Sequence, residues 1–198
     1  MSDRFNSSDL IPFNFGEPVP VGTLLVASPG LMNTPFEKAV VLVLQSGDQG
    51  TFGVVLNRPA NDQMRSAWFQ MTGASEGENR IVHGGPIGGP VFALHQVPAL
   101  AEMEVPGGVF VSSDSDVVQE LVSQPALDYR IVFGVAGWKQ GQLAGEVDAG
   151  LWFKLNGDAE QVFDDPNWLW EKSLRRYGNQ VFCNTLGLSS IPGDPQLN

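Results

Sequence analysis

The run 39-AVVLVLQSGDQGTFGVVLNRP-59 decides the fold class. Two β-branched, continuously apolar segments, 39–45 and 51–56, are joined by a short polar, glycine-bearing loop at 46–50. Unbroken apolarity over five to seven residues marks strands buried on both faces, and the Ser-Gly-Asp-Gln-Gly connection between them marks a hairpin. Outward from this pair, 23–27, 81–83, 91–95, 109–112, 130–135 and 151–155 read as further strands. Helices are expected at 62–71 with Asp62 as N-cap, at 113–123 with Ser113 or Asp114 as cap, and more weakly at 140–149. The strongest helical signal lies at 165–177. Asp165 caps it, Pro166 takes the first turn, Lys172, Arg175 and Arg176 sit near its C-terminus, and Gly178 stops it. The expectation is one α/β domain of α+β character, a bulged mixed β-sheet packed with helices, spanning 21–183. Residues 1–20 and 184–198, polar or proline-punctuated, are expected as flexible ends.

Composition narrows the function. The chain of 198 residues carries 11 basic and 22 acidic side chains, a formal charge of −11, with 23 glycines and 14 prolines. Glycine and proline fall between apolar segments, so they signal many turns between short strands. The lone Cys183 excludes a disulfide framework and a multi-thiolate metal site, and two histidines leave little for a His-rich centre. No metal and no cofactor is expected. No apolar run approaches the ~18 residues of a spanning helix, and 1–9 does not read as a secretory signal. A cytoplasmic location follows, with no membrane partner. From Ile81 to Tyr129 there is no Lys or Arg, while Glu102, Glu104, Asp114, Asp116, Glu120 and Asp128 all fall there. Those acids read as solvated loop and helix residues; Asp114-Ser115-Asp116 lacks the spacing of a calcium loop. Direct nucleic-acid binding is not expected, because a footprint needs a basic face.

No nucleophile elbow, Ser/His/Asp or Cys/His signature and no phosphate loop is present. The glycine-rich run from His83 through Gly84, Gly85 and Pro86 to Pro90 loses two N–H donors to proline, so a turn is its plainer reading. Three strand-end loops carry the chemistry that remains. They are 28–36 with two prolines, Asn57-Arg58-Pro59, and 134–143 with Trp138 and Gln142. If they converge with Glu146, they make a polar pocket with an aromatic wall, in which Arg58 holds an anion and Glu146 acts as base. Otherwise Asn57 and Gln142 satisfy turn backbones, Arg58 pairs with a carboxylate and Trp138 fills core.

The residues also carry a resemblance. Gly22 to Pro29, Asn33-x-Pro35-Phe36-x-Lys38, Gly53 to Pro59, Gly84-Gly85-Pro86, Leu94-His95, Gly137-Trp138-x-x-Gly141-Gln142-Leu143, Glu146, Trp152 and Pro166-x-x-x-Trp170 follow in the order of the YqgE/AlgH family. The resemblance spans about Gly22 to Tyr177. Lys139-Gln140 and Ala144 depart from it, and Ala144 leaves Glu146 as the nearest acid. It implies a compact α/β domain, a bacterial cytoplasmic protein, and a transcriptional-regulator label taken from one branch; it carries no catalytic residues. Asn57, Arg58, Pro59, His83, Gly84, Gly85, Pro86, Trp138, Gln142 and Glu146 are therefore candidate ligand-binding positions, with no catalytic assignment. The primary reading is a ligand- or protein-binding regulatory module acting indirectly on an unknown protein or small molecule. A small-molecule enzyme or nucleotide-type binder using strand-end loops is the alternative, and a structural protein without a site is another. Exposed strand edges would suit a homodimer.

Overall fold

The computed structural model describes residues 17–73, 80–124 and 126–187. Nine strands are β1 (Thr23–Ala27), β2 (Val40–Gly47), β3 (Gly50–Val55), β4 (Ile81–His83), β5 (Ile87–His95), β6 (Met103–Val105), β7 (Val109–Ser112), β8 (Tyr129–Trp138) and β9 (Trp152–Asn156). Helices are α1 (Asp62–Thr72), α2 (Ser115–Val122), α3 (Gln142–Asp148), α4 (Ala159–Val162) and α5 (Leu169–Leu186). The strands form one sheet in the order β6-β7-β5-β8-β3-β2-β1-β9, antiparallel throughout except that β4 adds to β8 in parallel. Register shifts between Val43 and Gln45 and between Ile87 and Val91 supply the bulges.

The apolar runs are continuous because both sheet faces are covered. Leu24, Val26, Val40, Leu42, Val54 and Leu56 face one cluster with Leu169 of α5, and Leu25, Ala27, Val41, Val43 and Val55 face another with Leu143 of α3. Trp68 of α1 and Val118 and Leu121 of α2 close a third cluster over Ile81, Ala93 and Ile131. Strand β8 serves all three. Val132 faces the first cluster and Ile131 the third, yet after Gly134 it is Val135 that meets the first while Ala136 and Trp138 meet the second. Odd and even positions exchange faces at Gly134, which carries a φ of +77° and lies opposite the Ile87–Val91 bulge of β5.

Several boundaries differ from expectation. Asn61, not Asp62, caps α1, accepting from the Met64 amide at 2.9 Å. Asp165 closes a turn ahead of α5, accepting from the Asn167 amide at 3.0 Å, so the helix starts at Leu169. It runs through Gly178 and ends at Gly187, because one helical glycine costs only about 1 kcal/mol and no proline follows before Pro192. The helix thus continues through Asn184–Leu186, into the expected tail. Lys172, Arg175 and Arg176 consequently lie in the helix's first half, away from its C-terminal end, and two of them answer acids. Lys172 pairs with Asp164 at 2.7 Å and Arg176 with Asp158 at 3.3 Å. At the other end Val19 is packed into the core at 3% exposure, while 1–16 and 188–198 lie outside the described residues. The one-turn α4 and three-residue β6 were too short to carry a period. No helix among the described residues is long and apolar enough to cross a membrane.

Two buried polar groups stitch the sheet. Arg130, 2% exposed, donates to the carbonyl oxygens of Leu56, at 2.5 Å, and Asp164. Burial pushes its pKa down to about 10 against the raising influence of Asp164 and Asp165. His95 is fully buried; its Nδ1 accepts from the Val97 amide at 3.2 Å, which leaves Nε2 to donate to Ser112 Oγ at 3.0 Å. Ser112 in turn donates to the Leu100 carbonyl. Burial lowers the His95 pKa below 6.5, with Glu102 opposing more weakly. The folded state therefore binds its proton less readily than the unfolded chain. The stability it contributes is complete above pH 6.5 and is lost as pH falls from there towards the lowered value. Thermal melts over this window should fall with acidification by up to about 1.4 kcal/mol per pH unit from this site, and His95→Gln should flatten that slope.

Candidate functional site

The loop between β1 and β2 is where the singled-out residues meet. Ser28 accepts from the Gly30 amide at 3.2 Å and starts a 3-10 turn over Pro29–Leu31. Asn33 and Lys38 then adopt left-handed backbone, φ +62° and +52°, a conformation unfavourable for a lysine. The segment just beyond β3 holds the loop in that shape. Asn57 acts as a surrogate strand, donating Nδ2 to the Lys38 carbonyl at 2.8 Å and accepting from the Val40 amide at Oδ1 at 2.9 Å. Arg58 donates to the Glu37 carbonyl, and Glu37 accepts from the Asn33 amide at 3.0 Å. The Lys38 ammonium lies 5.4 Å from the ring centroid of Trp170, whose indole N–H donates to the Ala27 carbonyl at 2.9 Å. Met32, Asn33, Thr34 and Pro35 project outward, Met32 at 59% exposure.

Phe36 anchors the loop on the inner side. Its ring stacks on Trp138 (centroids 5.8 Å) and meets Trp152 edge-on (5.6 Å), while the two indoles form a T at 6.0 Å. Both indole N–H groups donate to the same oxygen of Glu146, at 2.9 and 2.8 Å. Gln142 donates to the other oxygen at 2.9 Å and itself accepts from the Lys139 amide at 3.1 Å. This carboxylate accepts three donors and clamps β8, α3 and β9 together. An acid so occupied is a fastener for the aromatic wall.

The His83–Pro86 run serves the backbone. Gly84 donates to the Phe133 carbonyl and accepts from the Val55 amide, both at 2.8 Å. A Cβ at Gly84 would stand 2.4 Å from the Gly134 oxygen, so only glycine lets this segment lie against β8. Pro59 bridges to Val82, and the His83 amide donates to the Arg58 carbonyl at 2.8 Å. Asn57, Arg58, Pro59, His83, Gly84, Gly85 and Pro86 thus form one group, and Trp138, Gln142 and Glu146 a second; residues 36–38 join them. None of the concavities found among the described residues is lined by Asn57, Arg58, His83 or Glu146. They include a groove of about 520 Å³ along α4 and α5, a cavity of about 200 Å³ by Arg80 and Arg130, and one of about 140 Å³ that borders the second group through Gln140, Gly141 and Leu143. No group of three or more metal-ligating side chains occurs among the described residues.

A family model described as AlgH-like matches residues 24–181, the span that holds the whole strapped loop and its fasteners. The chain belongs to the AlgH-like family. A UPF0301 protein of Thermobifida fusca is 33% identical over 196 residues, covering 89% of this chain and 94% of its own. One from Streptomyces avermitilis is 31% identical with the same coverage. The solution structure of the AlgH protein from Pseudomonas aeruginosa superposes with a TM-score of 0.64 at 23% identity, over 86% of this chain and 94% of that one. A crystal structure from Corynebacterium diphtheriae gives 0.64 at 24%, over 80% and 87%. Those two likenesses establish the AlgH-like fold.

Sequence reasoning placed Asn57, Arg58, Trp138, Gln142 and Glu146 at the strand ends but not the partners that explain them. Phe36, Lys38 and Trp152 stand in the motifs as quoted, and the isolated aromatic of Pro35-Phe36 was the available signal. Arg130 and Ser112 gave none, and Leu94-His95 stood only as a motif of the resemblance, since burial of a polar residue within a strand depends on what the strand packs against.

Proposed function

We propose that this AlgH-like protein is a non-catalytic binding module that presents the 29–38 loop to a partner protein and regulates indirectly. The observation that carries the reading is Lys38, held in left-handed backbone on an exposed loop by Asn57 and Arg58. Unfavourable backbone persists only where its surroundings over-determine it, and such positions gather at recognition elements. A loop fixed before contact loses less conformational entropy on binding. The acids of the basic-free stretch support action without duplex contact: Asp114 caps α2 and Glu102 holds the Ser113 and Asp114 amides. Lys172 and Arg176 are already paired with acids.

A photo-crosslinking amino acid placed at the exposed Pro35 in cells should give a discrete adduct absent from a control position at Gln180. Asn57→Ala should abolish that adduct while lowering stability by only about 1 kcal/mol. An adduct of twice the chain mass would make the partner a second copy. Identical adducts from both positions, or an adduct indifferent to Asn57→Ala, would reject the reading.

A further inference from the structure

The groove between α4 and α5 is independent of the loop and has its own chemistry. Its volume of about 520 Å³ falls among small-molecule sites. Trp168, at the start of α5, is 60% exposed and lines it. A tryptophan left this open on a groove wall offers a flat apolar face for stacking. Lys172, Arg175 and Arg176 line it as well, and their availability differs. Asp164 occupies Lys172 and Asp158 occupies Arg176, whereas Arg175 makes no ion pair with a described residue.

Spacing sets the ligand. Trp168 and Arg175 are seven residues apart, two turns of one helix face, a rise of about 10 Å. Helical side chains lean towards the N-terminus, a direction that from Arg175 leads back along the groove lining towards Trp168. The planar guanidinium suits a phosphate, which it can grip through two N–H donors. Glu160, Asp164 and Glu171 on the same lining balance the three cations, which disfavours a polyanion. We propose that this groove binds a nucleoside monophosphate, the base stacked on Trp168 and the single phosphate held by Arg175.

Calorimetry and thermal shift on the full chain would test this with four probes: adenosine monophosphate, adenosine, inorganic phosphate and adenosine triphosphate. The monophosphate should bind with a dissociation constant in the micromolar range and raise the melting temperature. Adenosine and phosphate alone should bind at least tenfold more weakly, and the triphosphate more weakly than the monophosphate. Trp168→Ala and Arg175→Gln, both at exposed positions, should fold as wild type by circular dichroism and each lose at least tenfold in affinity. No monophosphate binding at millimolar concentration, or affinity unchanged in both variants, overturns the site. Tighter triphosphate binding overturns the single-phosphate assignment.

Discussion

Glu146→Ala is expected to destabilise the protein by about 3 kcal/mol, because two buried indole N–H groups and the Gln142 amide lose their acceptor at once. Trp138 and Trp152 are 4% and 2% exposed, so water cannot replace the carboxylate without opening the wall. Glu146→Gln should cost only about 1 kcal/mol. Its amide oxygen can accept both indoles, while its NH₂ then confronts the Gln142 NH₂. Urea unfolding with tryptophan fluorescence would report both values. A fastener gives this graded loss of stability; an Ala variant as stable as the wild type would reject that role.

The second large effect is expected at Gly134. A Cβ there would stand 2.8 Å from the Gly85 oxygen and 2.9 Å from the Ile87 oxygen, and the residue would carry a φ of +77°. Both neighbours are backbone and cannot swing aside. Gly134→Ala should cost about 3 kcal/mol from left-handed strain and overlap together. Gly145→Ala is the matched control: this glycine is exposed within α3 with nothing near its Cβ site, and the change should stabilise by about 0.5–1 kcal/mol. Equal unfolding midpoints for the two variants would contradict the bulge account.

These two positions also show how far the sequence could be read. The strands over 39–56 were legible because burial on both faces leaves an unbroken apolar run that no competing structure explains. The family motifs were legible as an ordered set, and they marked the strand ends that meet the β1–β2 loop. What they could not disclose was direction. Asn57, Arg58 and Glu146 looked equally fit to face a ligand or the chain itself, and only the placement of 36–38 shows that their hydrogen bonds turn inward. The left-handed lysine was invisible for the same reason, since nothing in its local sequence prefers that backbone. Helix α5 starts later than Asp165 and Pro166 suggest because Leu169, Trp170, Leu174 and Tyr177 set the packed face, and it outlasts Gly178 because a single helical glycine is a weak stop.

The face exchange along β8 has a consequence for the whole molecule. One strand contributes to all three apolar clusters, so the three share a common wall. Loosening β8 exposes every cluster together. The fold is therefore cooperative through a single element, and the strapped loop and the α4–α5 groove are both mounted on that one indivisible body.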